Sequence, residues 1–269
     1  MSTSYAEGCT RRAAALATLV SRVEVALIDG PGLILVRGGN LLAEDREFLA
    51  TAQAILCKLL GTLSPQDDKG HLMKEVTVVA GSAYDVLSTV SHRGRAEMLP
   101  HSDSAEIVSL MCVNPAIIGG ETKLVSSMKV HELLQRKAPD ALEHLYRNLP
   151  IDVSGKAADV DGGGYIRRPV FEMSGGRIRC HYNRRRINEG ARKAGEQFEA
   201  DIGAALDLMD TIVGSPELIH EVTLQCGDNL LINNDFILHG RNAYRDFQED
   251  CAVRLLLRVW LTLDEQRRA

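Results

Sequence analysis

None of the six cysteines (Cys9, Cys57, Cys112, Cys180, Cys226, Cys251) stands in a CxxC pair or at any other close spacing. A disulfide framework is therefore excluded, and scattered single thiols fit a reduced, cytoplasmic chain. Positive charge is not in excess: the formal net charge is −5, which offers no general attraction to nucleic acid or to an anionic membrane surface. A run of about 18 apolar residues, enough to span a membrane, is missing, as is a basic region followed by an apolar run at the N-terminus. There is no linker, no internal repeat and no low-complexity segment beyond Gly162-Gly163-Gly164. What remains is an ordinary globular composition, 45% hydrophobic and 25% charged over 269 residues, expected to form one domain over 1–269.

Helical periodicity runs over 10–27 and is stopped by Gly30-Pro31-Gly32. A second helix is expected over 44–60, with Phe48, Ala52, Ile55 and Leu59 as its buried face and Gly61 as C-cap. Both helices should pack outside a sheet. Short apolar runs predict strands at 33–38, 76–79, 86–90, 107–113, 123–126, 218–224, 229–234 and 252–261. Residues 128–149 read as one helix capped by Ser127, and 196–213 as another. A hairpin is expected from 167–172 and 177–182 across Ser174-Gly175-Gly176. The glycine-rich stretch 151–164 reads either as a mobile lid, within an insertion of about 151–176, or as a surface excursion without a role. Arg184-Arg185-Arg186 reads as a solvated basic face. Helices followed by many short strands suggest a mainly β fold with flanking helices, a sandwich or jelly roll.

The chemistry starts at His101-Ser102-Asp103. On an extended segment, residues two apart point to the same side, so both side chains reach one bound atom. A second imidazole returned by the fold, at His239, would complete two histidines and one carboxylate on one face of a metal, the donor set of non-haem Fe(II) oxygenases. Gly240 allows close backbone approach beside it. Arg254 and Arg258, fifteen and nineteen residues beyond His239, share one strand face. A buried guanidinium is costly unless it meets an anion. An Fe(II) oxygenase needs an electron source, and 2-oxoglutarate carries a distal carboxylate that a guanidinium fork can clamp.

Together, His101-Ser102-Asp103, Gly119-Gly120-Glu121-Thr122, His239-Gly240-Arg241-Asn242-Ala243-Tyr244 and the Arg254/Arg258 pair resemble the Fe(II)/2-oxoglutarate oxygenases related to taurine dioxygenase. Within them, the chain is most similar to the clavaminate synthase-like branch, which includes hydroxylases of amino acids and their derivatives. The resemblance covers about 32–261. It implies a double-stranded β-helix (cupin-like jelly roll) core, with Fe(II), 2-oxoglutarate and O2 as cofactor and cosubstrates. His101, Asp103 and His239 would bind the iron, while Arg254 and Thr122 would hold 2-oxoglutarate. Arg258 would face the substrate carboxylate, although a plain surface role stays open, and Arg241 would orient its loop. Gln66 would grip the amino-acid backbone. His181 and Asn183, if on one strand face, would reach the substrate, or else be exposed polar residues. Acidic residues stand there in branch members that take guanidinium substrates, so this chain departs from a strongly cationic substrate.

The implied reaction is hydroxylation of an unactivated C–H bond of an amino acid or derivative, free or on a carrier protein, with release of succinate and CO2. Asp103 disfavours halogenation, in which a small residue replaces the metal carboxylate. Desaturation and ring closure use the same residues and stay open. So does a non-catalytic jelly-roll binding module.

Overall fold

The computed structural model describes residues 2–39, 46–77, 95–153, 163–246 and 253–264. Two antiparallel sheets face each other. The larger orders β1 (Leu33–Val36), β13 (Asn229–Asn233), β5 (Ile107–Asn114), β16 (Leu255–Leu263) and β2 (Gly61–Ser64), with β3 (Met73–Val76) also paired to β16. The smaller orders β12 (His220–Val222), β7 (Thr122–Ser126), β14 (Ile237–Arg241) and β4 (Met98–His101). Strand β5 is buried on both sides, as its unbroken apolar run requires. Val108, Leu110 and Cys112 face Leu124, Ile237 and Trp260 between the sheets. Ile107 faces outward, against Val23, Leu27, Leu56 and Leu60 of α1 (Ser2–Ile28) and α2 (Arg46–Leu60). The smaller sheet's outer face, through Val125 and Leu238, packs on Leu134, Leu142, Leu206 and Met209. Those residues belong to α3 (Ser127–Lys137), α4 (Pro139–Leu145) and α6 (Ala200–Val213). The fold is thus mainly β with flanking helices, a double-stranded β-helix core of the jelly-roll type.

Several local expectations are corrected. In α2 the buried face is Leu49, Gln53, Leu56, Cys57 and Leu60, whereas Phe48 and Ile55 are 45% and 49% exposed. Gln53 belongs to the core because its amide donates to Ser109 O, Ser109 Oγ and Leu257 O. Gly61 does not cap the helix but opens β2, where a Cβ would meet Thr262 O at 2.1 Å. The helix expected over 128–149 is two, broken where Pro139 follows a non-helical Ala138 (φ −152°, ψ 61°). Its N-cap is Ser126, because Ser127 Oγ is spent on the carbonyls of Asp235 and Phe236. Leu149 already belongs to a strand, β8 (Leu149–Asp152), paired with β9 (Tyr165–Arg168). The hairpin across Gly175-Gly176 joins β10 (Phe171–Ser174) to β11 (Arg177–Cys180), so 167–168 leave it for β9. Of the expected lid, 151–153 and 163–176 form these strands and turns, and 154–162 lie outside the described residues, as does the strand expected at 86–90. Of the strand expected at 76–79, Val76 ends β3, and 78–79 lie outside the described residues. Arg184-Arg185-Arg186 opens a helix that the pattern did not show, α5 (Arg184–Ala194). Among the described residues, no helix is long and apolar enough to cross a membrane.

Burial pushes the thiol of Cys57 up to about 11, that of Cys112 up to about 12 and that of Cys180 higher still, whereas Cys226 is only partly buried. The thiolate is the reactive form. Iodoacetamide at pH 8 should therefore leave Cys57, Cys112 and Cys180 unmodified in the native protein and reach Cys226 first of these four, as read by peptide mass mapping. Labelling of the three buried thiols only after denaturant is the expected contrast.

Candidate active site

Strands β4 and β14 lie side by side with His101 directly opposite His239. Close approach requires glycine at 240, where a Cβ would stand 2.4 Å from Met98 O and 2.9 Å from Pro100 N. The two imidazole centroids are 4.8 Å apart. β4 ends at His101, so alternation along a strand does not by itself orient Asp103. Its backbone N–H donates to Asn234 Oδ1 (3.2 Å), tying the segment to the end of β13. One donor atom from each of His101, Asp103 and His239 lies within 4.8 Å of the others, and His239 Nε2 is 3.8 Å from Asp103 Oδ2. Gly240→Ala should force β4 and β14 apart and lower Tm by roughly 3–10 °C, the span of an overpacking penalty in a chain of this size, as checked by scanning calorimetry.

The donor set suits a divalent metal. His101 Nδ1 lies 2.9 Å from the carbonyl of Leu99, which can only accept, so Nδ1 carries the proton and Nε2 is left as ligand. Burial lowers the pKa of both imidazoles, that of His239 to about 3, so both are neutral at pH 7. Burial alone would raise the Asp103 carboxyl. The Arg258 guanidinium reverses this and holds it well below the usual carboxylate range. Oδ2 accepts from Arg258 Nη1 (3.0 Å) and Trp260 Nε1 (3.0 Å). Two neutral nitrogens and one fixed carboxylate match an Fe(II) facial site.

The three residues open onto a cavity of about 370 Å³ that Thr122, Arg241, Arg254 and Arg258 also line. Arg254 precedes β16 and is 4% exposed, and its Nη1 has no hydrogen-bond partner among the described residues. Its guanidinium carbon lies 5.3 Å from the Tyr244 ring centroid, and that of Arg241 lies 4.5 Å from it. Gly120, in the left-handed region (φ +78°), leaves room for this: a Cβ there would stand 3.3 Å from Arg254 Nε. An orphaned buried guanidinium donor is what a bound carboxylate would satisfy. Arg241 Nη2 donates to Ala96 O (2.6 Å), which steadies the segment entering β4 while its side chain forms part of the wall. Burial, then Arg254, lowers the Arg241 pKa to about 10.

The other sequence-predicted positions divide. Gln66 lines the cavity, yet its amide donates to Arg258 O and Leu72 O and its Oε1 accepts from Arg258 Nε (2.8 Å), so it positions Arg258. Arg258 itself is held by Gln66, Asp103 and the Trp260 face. Asn183 lines the cavity, with its Oδ1 accepting from Arg186 N as the N-cap of α5. His181 lies outside the strand, in an adjoining cavity, with Nε2 3.0 Å from Glu172 Oε1 and its pKa lowered to about 4, mainly by burial. Sequence reasoning missed Trp260, Asn234, Arg185 and Arg186. Trp260 stands two residues beyond Arg258 on one strand face, so strand alternation could have found it.

The model of the taurine catabolism dioxygenase TauD, TfdA family matches residues 14–260. FR-33289 synthase of Streptomyces rubellomurinus is 30% identical over 261 residues, covering 93% of this chain and 74% of that protein. Uridine-5'-phosphate dioxygenase of a Streptomyces species is 29% identical over 191 residues, 68% of this chain and 66% of that one. A solved asparagine oxygenase in complex with Fe(II), 2S,3S-3-hydroxyasparagine and succinate is 16% identical, with a TM-score of 0.72 over 93% of this chain and 81% of that chain. The family match takes in both sheets and the positions from His101 through Arg258, so it rests on the whole domain and not on a short motif. This chain belongs to the taurine catabolism dioxygenase TauD, TfdA family and is an Fe(II)- and 2-oxoglutarate-dependent dioxygenase.

Proposed function

We propose that the protein hydroxylates an unactivated C–H bond of a small amino acid or amino-acid derivative, free or attached to a carrier protein, in the cytoplasm. His101, Asp103 and His239 hold Fe(II) in this reading. Arg254 clamps the distal carboxylate of 2-oxoglutarate, and Thr122 hydrogen-bonds a carboxylate oxygen of the same cosubstrate. When bound, Fe(II) would supply the oxidising power of O2, one oxygen atom going to 2-oxoglutarate as it loses CO2 to become succinate and the other to the substrate.

The protein's share is placement. Trp260 and Arg258 fix the Asp103 carboxylate, Leu99 O fixes the His101 tautomer, and Gln66 holds Arg258 in turn. Val76, Leu110 and Leu256 give the cavity an apolar wall that limits water at the reacting carbon. The observation that carries the reading is the convergence of three donors within 4.8 Å in the same cavity as the unsatisfied Arg254 donor. The solved asparagine oxygenase, whose bound product is a hydroxylated amino acid, supports the amino-acid class. Desaturation and ring closure differ in product mass, since hydroxylation adds one oxygen and they remove two hydrogens. The match to a dioxygenase family over residues 14–260 argues against a non-catalytic module.

The test is a screen of free and carrier-linked amino acids for substrate-dependent succinate formation, followed by product mass. Succinate release stimulated by at least one amino acid, with one oxygen gained, is the expected result. If no amino acid raises succinate above the substrate-free rate, the substrate class is wrong.

A further inference from the structure

Among the described residues, the cavity wall carries six cations, Lys74, Arg185, Arg186, Arg241, Arg254 and Arg258, against four carboxylates. Three of the carboxylates are engaged: Asp103 by Arg258 (3.0 Å), Asp67 by Lys74 (2.6 Å) and Asp152 by Lys193. The fourth, Asp68, is exposed at the rim. Arg241 and Arg254 flank Tyr244 at the end assigned to 2-oxoglutarate. Arg185 and Arg186 remain, and neither forms an ion pair among the described residues. Arg186 is partly buried and donates Nη1 to Ser104 Oγ (2.5 Å), a neutral acceptor, while the Asp103 and Asp152 carboxylates act on it only at longer range.

The position of Arg186 matters as much as its charge. It stands where the metal cavity meets a second cavity of about 360 Å³, and Asp103, Asn183 and Trp260 line both. Beyond that junction Ile151, Val153 and Ile166 supply the apolar part of the wall. Arg168 and His181 there both bind Glu172, and the other polar groups, Ser64, Ser102 and Ser104, are neutral hydroxyls. Arg258, the residue that sequence places opposite a substrate carboxylate, is tied to Asp103 and Gln66. Once Fe(II) and 2-oxoglutarate are in place their charges cancel, and the wall still carries an excess of positive charge.

We propose that Arg186, backed by Arg185, is the substrate's oxyanion receptor, and that the substrate enters as a net anion. An acidic or N-acylated amino acid, or a molecule with a phosphate, phosphonate or sulfonate group, meets this description. A neutral zwitterion or a cationic amino acid does not. The proposal rests on the dioxygenase reading above and narrows its substrate class. A guanidinium that meets an oxyanion here would bind it in the fork geometry suited to planar and tetrahedral oxyanions.

The experiment is calorimetric binding under argon to protein loaded with Fe(II) and 2-oxoglutarate, where no turnover occurs. The probes are L-aspartate against L-asparagine, L-glutamate against L-glutamine, and propylphosphonate, which has an oxyanion but no amino-acid group. Acids should bind about 10- to 100-fold tighter than their amides, the usual gain from a charge-assisted pair. Arg186→Gln should erase that difference and Arg186→Lys should keep part of it. The helix cap survives either change, since Asn183 accepts from the backbone N–H of residue 186, and circular dichroism checks the fold. If propylphosphonate alone binds in an Arg186-dependent way, the receptor stands and the amino-acid class falls. If amides bind as tightly as acids, if the preference persists in Arg186→Gln, or if no probe binds, the receptor proposal is overturned, whatever the succinate screen finds.

Discussion

Asp103→Ala is expected to abolish iron retention and to cut succinate formation by at least about 10³-fold. Loss of a residue behind a metal ligand alone costs about 10–100-fold, and this change removes one of three ligands. It also frees Arg258 Nη1 and Trp260 Nε1, both of which donate to Asp103 Oδ2. Breaking a buried pair from one side costs about 3–5 kcal/mol, chiefly from the stranded charge. The Gln66 contact and partial exposure of Arg258 should keep the cost at the low end. His239→Ala separates the two effects: it removes a ligand but leaves Arg258 and Trp260 on Asp103. Both variants should lose iron on gel filtration, and Asp103→Ala should show the larger fall in Tm. Iron retained at wild-type level in either variant contradicts the ligand assignment.

Arg254→Leu is expected to act in opposite directions on function and stability. A buried charge pair truncated from one side loses about 2–5 kcal/mol of binding, so KM for 2-oxoglutarate should rise roughly 30- to 4,000-fold. The protein without ligand should not be destabilised. Its guanidinium is 4% exposed with one nitrogen unsatisfied, burial lowers its pKa, and leucine removes that desolvation cost. The contact that positions the segment, Arg254 N–H to Asp246 Oδ1 (3.2 Å), uses the backbone and survives. A Tm equal to or above wild type together with a large KM increase fits a cosubstrate clamp. A lower Tm with unchanged KM identifies a structural arginine instead.

The parts of this site legible in sequence were those carried by short-range pattern. His101, Asp103 and His239 stood out because ligand chemistry admits few residue types. The short strands that carry the two histidines, β4 and β14, were not among those expected, whereas the long apolar run of β5 kept its expected place. What failed was decided by partners distant in sequence. In α2 two apolar stripes compete, and the buried one contains Gln53, which reads as polar until Ser109 and Leu257 supply its acceptors. Helix α5 had no apolar stripe because two of its three buried residues, Gly190 and Ala191, are too small to register beside Ile187. Its arginines therefore read as solvent-facing, although Arg186 points into the cavity wall. Arg258 was placed correctly on β16, but its engagement with Asp103 bridges residues 155 apart in sequence, and no local pattern encodes that.

In the proposed reading, His101, Asp103 and His239 form an Fe(II) site beside a 2-oxoglutarate site anchored by Arg254. Anaerobic addition of Fe(II) and then 2-oxoglutarate to the apoprotein tests it most directly. A visible charge-transfer band should appear only when both are present. It should be absent in Asp103→Ala and His239→Ala and require far more 2-oxoglutarate in Arg254→Leu. A wild-type protein that shows no band, or variants that keep it at wild-type concentrations, would contradict the claim.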